Sequence, residues 1–135
     1  YPIYLIPLLA GFFLPMKTVL IVIVLLFTRT AMAQPKVLVD KATVKFEKVV
    51  EGKLLKHIFK LTNTGDSPLV FNNYNVGCPC TTIILPKQPV LPGQTVELPM
   101  EFDSKGKYGL QDRAIIINTN LPKSELILRF KVYVK

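Results

Sequence analysis

From Thr95 to Asp103 apolar and polar side chains take turns: Val96, Leu98, Met100 and Phe102 on one side, Thr95, Glu97, Pro99, Glu101 and Asp103 on the other. A period of two sends successive side chains to opposite faces of an extended chain, so this segment is predicted to be a half-buried strand. The last segment repeats the pattern, with Leu126, Leu128, Phe130, Val132 and Val134 set against Glu125, Arg129 and Lys131. Leu55 to Asn63 places Leu55, His57, Phe59 and Leu61 on one face. Gln111 to Asn118 contains Ala114-Ile115-Ile116-Ile117, a β-branched run that predicts a strand covered on both sides. Turn chemistry separates these runs. Asn63-Thr64-Gly65-Asp66-Ser67-Pro68 forms one loop, and Leu91-Pro92-Gly93-Gln94 places proline and glycine where a turn wants them. Lys105 to Gly109 and Asn118 to Pro122 supply two more. About seven short strands in roughly 100 residues, with no helical period, predict an all-β, immunoglobulin-like sandwich.

Ahead of these strands the pattern changes. Met16-Lys17, the apolar run Thr18 to Phe27, and Ala31-Met32-Ala33 form a basic start, an apolar middle and a small-x-small end. That is the layout of a secretory signal peptide over residues 16–33, cut between Ala33 and Gln34. A bilayer span needs about 20 apolar residues, roughly twice this run. Residues 1–15 are uncharged and carry three prolines, which suits neither a helix nor a clean span. They are read as sequence upstream of a start at Met16; if translated, they make the leader a membrane anchor. Residues 34–135 are then a single exported domain, in the periplasm or at the cell surface.

The leader changes how composition reads. It inflates the apolar fraction, and Lys17 and Arg29 leave with it, so the net charge of +8 falls to +6. The remaining lysines, among them Lys36, Lys41, Lys45, Lys48, Lys53, Lys56 and Lys60, are spread out rather than bunched. This describes a solvated basic face, without the aromatic-basic interleaving of a nucleic-acid platform. No nucleic acid is expected as a partner, and membrane contact is expected only through an uncleaved leader.

One series of residues resembles a known family: Glu51-Gly52, His57-x-Phe59-x-Leu61-x-Asn63-Thr64-Gly65, Pro68-Leu69, Cys78-Pro79-Cys80-Thr81, Pro92-Gly93, Phe102-Asp103, Gly109 and Thr119-Asn120. In this order they look like the bacterial domain of unknown function 1573, an exported Ig-like domain common in Bacteroidota. The resemblance covers roughly Val44 to Val134. It implies an architecture similar to the Ig-like modules of periplasmic chaperones and ciliary proteins, and no particular activity. The family usually shows Cys-Gly-Cys-Thr, whereas this chain has Pro79, which stiffens the link between the thiols.

Cys78 and Cys80 are the only cysteines. In an extended segment their Cα atoms would lie roughly 6.5–7 Å apart on one side, at the upper edge of disulfide reach. Three states are open. A local disulfide is favoured by export but closes a very small, strained ring that stabilises little. Two thiolates could hold Cu(I), whereas zinc wants four ligands and only His57 could add a nitrogen. Two packed thiols could instead serve structure or pair with another protein. His57 is expected to be largely buried and hydrogen-bonded. Asn63 and Asn120 read as turn formers, and Tyr74 and Tyr108 as tyrosines beside loops, either lining a binding surface or half-packed at strand ends. Glu97, Glu101 and Asp103 form a solvated row. The chain has no nucleophile elbow, zinc-binding helix motif or phosphate loop. It is read as non-enzymatic, without a cofactor, binding or scaffolding another envelope protein; the alternative is thiol redox or Cu(I) handling by Cys78 and Cys80.

Overall fold

The computed structural model describes Pro15 and residues 32–135. The expected upstream segment, apart from Pro15, and the leader as far as Ala31 lie outside the described residues. The chain divides into two units, Tyr1–Met32 and Ala33–Lys135, and the strands among the described residues all belong to the second.

Eight strands build two four-stranded sheets. β1 (Val37–Val39), β3 (Leu54–Asn63), β6 (Thr95–Asp103) and β5 (Thr81–Ile83) lie side by side in that order. The second sheet runs β2 (Thr43–Lys45), β8 (Glu125–Val134), β7 (Gly109–Thr119) and β4 (Phe71–Val76). The two sheets pack over one apolar core, as expected for an Ig-like sandwich. The count is one above the seven expected, and strands as short as β1 and β2 carry too few residues to show a period.

Alternation predicts the core faces well. Leu98, Met100 and Phe102 from β6, Phe59 and Leu61 from β3, and Leu128, Phe130, Val132 and Val134 from β8 are all buried. Phe102 and Phe130 bring the two sheets together, with ring centroids 5.0 Å apart. Opposite Phe59 on β3 stands Leu98, and opposite Leu61 stands Val96, so the register aligns apolar with apolar. The outer face is correspondingly polar: Lys56 pairs with Glu101 at 2.8 Å, and Lys60 with Glu97 at 3.3 Å. The Ala114–Ile117 run departs from expectation. Ile115 and Ile117 are buried, but Ala114 and Ile116 are only half-covered, because among the described residues no second layer packs on the outer face of this sheet.

β2 is parallel to β8, and hydrogen bonds continue past it: Arg129 N–H to Ala42 O, Phe46 N–H to Lys131 O, Val49 N–H to Tyr133 O, Lys135 N–H to Val49 O and Glu51 N–H to Lys135 O. Residues 34–36 lie against the β3–β4 loop, where Thr64 N–H reaches Lys36 O and Asp66 N–H reaches Gln34 O. Gly65 makes this contact feasible. A Cβ there would overlap the backbone of Gln34, Pro35 and Lys36.

Candidate functional site

β4 is the longest edge strand of the two sheets: β1, β2 and β5 have three residues each and β4 has six. One side pairs with β7 from Phe71 to Val76, with a register shift between Phe71 and Asn73. The other side ends the sheet. Phe71 is buried and anchors the strand, while Asn72, Asn73, Tyr74 and Asn75 are exposed. Asn118 Nδ2 donates to Asn73 Oδ1 across the pair. No charge or proline protects this edge, although such residues are the usual guards against unwanted pairing. Tyr74, expected beside a loop or half-packed at a strand end, lies within β4, two residues before its end. An edge strand is covered on one side alone, and Asn-Asn-Tyr-Asn carries no alternation to announce it.

At its far end β4 leaves its sheet and crosses to the other one. The crossover is Gly77-Cys78-Pro79-Cys80, leading directly into β5. The two cysteines are joined in a disulfide, and their Cα atoms stand 5.2 Å apart. This corrects the extended geometry expected from sequence, because the segment is a turn: Thr81 N–H closes back on Cys78 O at 3.2 Å. Cys80 N–H also points at Cys78 Sγ, 3.1 Å away. Cys80 packs against the core, its carbonyl receives Asp103 N–H at 2.8 Å, and Pro79 is exposed at the tip.

His57 does not join the cysteines. Among the described residues no three of His, Cys, Asp and Glu converge on a point. Its ring stands edge-on to Phe59 at 4.7 Å and to Phe46 at 6.2 Å. It is half-buried and makes no hydrogen bond among the described residues, where sequence reasoning expects one. Aromatic packing takes that place. Burial first, and then the charge of Lys41, holds its pKa below the ordinary value of 6.5.

The asparagines form turns, and they do so as clasps. Asn63 is fully buried; its Nδ2 donates to Ser67 O (2.8 Å) and Val90 O (2.9 Å), and its Oδ1 accepts from Gly65 N–H (3.0 Å). Asn120 donates to Pro68 O (2.9 Å) and accepts from Val70 N–H (2.8 Å). Between them they fix the loop that delivers the chain to β4. The carboxylates are also committed, Glu97 and Glu101 to lysines and Asp103 to Lys105 N–H. Tyr108 is exposed at the turn before β7. A polar network escaped sequence reasoning: on the outer face of β7 and β8, Asp112 takes Arg129 and Lys131, each at 2.9 Å. The hydrogen bond from Lys131 is the largest influence and lowers the Asp112 pKa; desolvation opposes it, and the hydrogen bond from Arg129 with the charges of both cations keeps the net shift downward.

The fold has solved relatives. A crystal structure of a protein of unknown function from Porphyromonas gingivalis W83 superposes with a TM-score of 0.65 at 18% identity, over 79% of this chain and 50% of that one. The chain thus spans half the length of that protein. The human CEP192 ASH/PapD-like domain 7 gives 0.56 at 11% identity, over 76% and 85%. WR4, a Caenorhabditis elegans member of the MSP family, gives 0.52 at 13%, over 73% and 97%. At such identities the likeness is one of fold. No curated protein matches. The family model described as "Protein of unknown function (DUF1573)" matches residues 37–134, nearly the whole sandwich, and the chain belongs to that family.

Proposed function

We propose that this chain is a non-enzymatic binding module of the bacterial envelope, taking an extended segment of another exported protein along β4. The observation that carries this reading is the edge itself. It is six residues long, uncharged, and exposed from Asn72 to Asn75, with its entry loop clasped by Asn63 and Asn120 and its exit held by the Cys78–Cys80 turn. An added strand gains main-chain hydrogen bonds there, and alternate side chains supply specificity. The export on which this rests comes from residues 16–33. N-terminal sequencing of the native protein is expected to start at Gln34; a start at Met16 or earlier would mean that the leader is retained and the domain is membrane-anchored rather than free.

The direct test places a photo-crosslinking residue at Tyr74 in the full chain. Crosslinks to an exported protein are expected, and Asn72→Lys with Asn75→Lys should abolish them by charging the edge. Crosslinks that survive those two changes, or that arise from the β1 edge instead, would count against the reading.

A second reading, thiol exchange or Cu(I) binding, is favoured by one contact. The N–H of Cys80 aimed at Cys78 Sγ would steady a thiolate there once the bond is reduced. Mass spectrometry with and without reductant and Cu(I) separates the two. A disulfide that neither exchanges with an added thiol nor yields a copper adduct after reduction removes it.

A further inference from the structure

The outer face of the β2-β8-β7-β4 sheet carries two kinds of surface. Its middle is closed electrostatically by Asp112, Arg129 and Lys131. Where β7 begins and β8 ends, large apolar side chains stand in solvent instead: Tyr108 is 69% exposed, Leu110 67%, Val50 62% and Tyr133 46%. Leu110 and Tyr133 are cross-strand partners, and Val50 follows directly on the Val49–Val134 bridge. Together they form one patch, continued by a shallow groove between Leu110, Tyr133 and Lys45.

Lysines surround the patch. Lys48 Nζ lies 4.8 Å above the Tyr133 ring, Lys45 lines the groove, half-buried Lys107 precedes Tyr108, and Lys135 follows directly on β8. None of these four is in an ion pair among the described residues, whereas Lys56, Lys60 and Lys131 are. Two carboxylates stand near the patch, exposed Glu47 between Lys45 and Lys48 and Glu51, which accepts from Gly106 N–H at 2.6 Å, so the four lysines outnumber the negative charges beside it. Solvent-facing aromatics with polar tips, beside unneutralised lysines, are mismatched to water alone and to any basic partner. They match a surface that is anionic outside and apolar just beneath.

We infer that this end of the sheet docks on an anionic lipid bilayer. Tyr108, Leu110 and Tyr133 enter the headgroup layer, and Lys45, Lys48, Lys107 and Lys135 meet the phosphates. This widens the sequence expectation, which confined membrane contact to an uncleaved leader. It is also independent of the strand-addition reading, because β2 and β4 are opposite edges of the sheet and β4 stays open.

Sedimentation of the full chain with vesicles tests it, using phosphatidylcholine containing phosphatidylglycerol against phosphatidylcholine alone. Binding is expected to require phosphatidylglycerol, and Lys107→Gln or Lys48→Gln should each weaken it roughly fivefold. Tyr108→Ser with Leu110→Ser should weaken it at unchanged charge, while Lys87→Gln, in the exposed β5–β6 connection, should leave it intact. All variants share one N-terminus, so a retained leader raises every value alike and cannot mimic these differences. Three results would overturn the inference: equal binding to both vesicles, equal loss with Lys87→Gln, or no loss with the Tyr108 and Leu110 pair. The last would mean a charge contact open to any polyanion.

Discussion

Changing Asn63 to Asp replaces one heavy atom, removes its two protons, and asks a sharp question of the β3–β4 clasp. The carboxylate keeps the acceptor that Gly65 N–H needs, but it loses both protons that now go to Ser67 O and Val90 O. At neutral pH a buried negative charge would face two carbonyl oxygens. Two hydrogen bonds are lost; Ser67 O is left unpaired, Val90 O keeps only Leu69 N–H, and with the buried charge against both carbonyls the cost is about 3–5 kcal/mol. A domain of this size has about 5–15 kcal/mol in all. Melting should therefore fall on the order of 20 °C. Acid should partly rescue the variant. Protonation restores one donor, so the folded carboxyl has a raised pKa, and its contribution is present below the unfolded pKa and lost as pH rises through the folded one. Urea unfolding followed by circular dichroism, at about pH 7 and about pH 4, should show the gap between Asn63→Asp and the parent narrowing in acid. The titration of His57 acts on both proteins and cancels in the difference. A gap under about 0.5 kcal/mol at neutral pH, the level of an ordinary surface change, would refute the account, as would a gap that widens in acid.

Gly65→Ala should cost about 1–3 kcal/mol, because its Cβ would displace the Gln34–Lys36 backbone; hydrogen exchange should show protection lost at the Thr64 and Asp66 amides first. The depressed His57 pKa means that the unfolded chain binds the proton more readily, so stability is full above about pH 6.5 and declines as pH falls through the folded-state value. His57→Phe should flatten that part of the stability–pH curve. Replacing both Cys78 and Cys80 by Ser opens a very short loop and should cost roughly 1–2 kcal/mol, leaving a folded domain with a modestly lower thermal midpoint; an unfolded product would show that the turn, rather than the core, holds the crossover.

Much of this fold is legible in the sequence where one face is buried and the other wet. β6 and β8 alternate without interruption, and their apolar sets are the observed core. Legibility fails where only one side of a strand is covered. β4 shows no period because its outer edge and much of its surface meet water, and it is the strand that carries the proposed function. The isoleucines of β7 mislead in the opposite sense, since a β-branched run suggests two covered faces where the structure covers one. Asn63 and Asn120 are recognisable as turn residues, but which loops they join is set by partners 27 and 52 positions away. The cysteine pair is plain in sequence, and its geometry is not: a proline with a fixed φ inside a turn brings the two Cα atoms closer than an extended chain allows.

The parallel course of residues 42–51 beside 129–135 has a mechanical side. Tension applied to the two ends of the domain would drag these segments past one another lengthwise, loading their shared hydrogen bonds together rather than peeling them one at a time. Pulled in that direction the sandwich is expected to give way in a single abrupt event, and single-molecule extension should show Val44→Pro, which breaks into the seam, lowering the rupture force. A module with this seam is suited to hold its shape while its ends are under load.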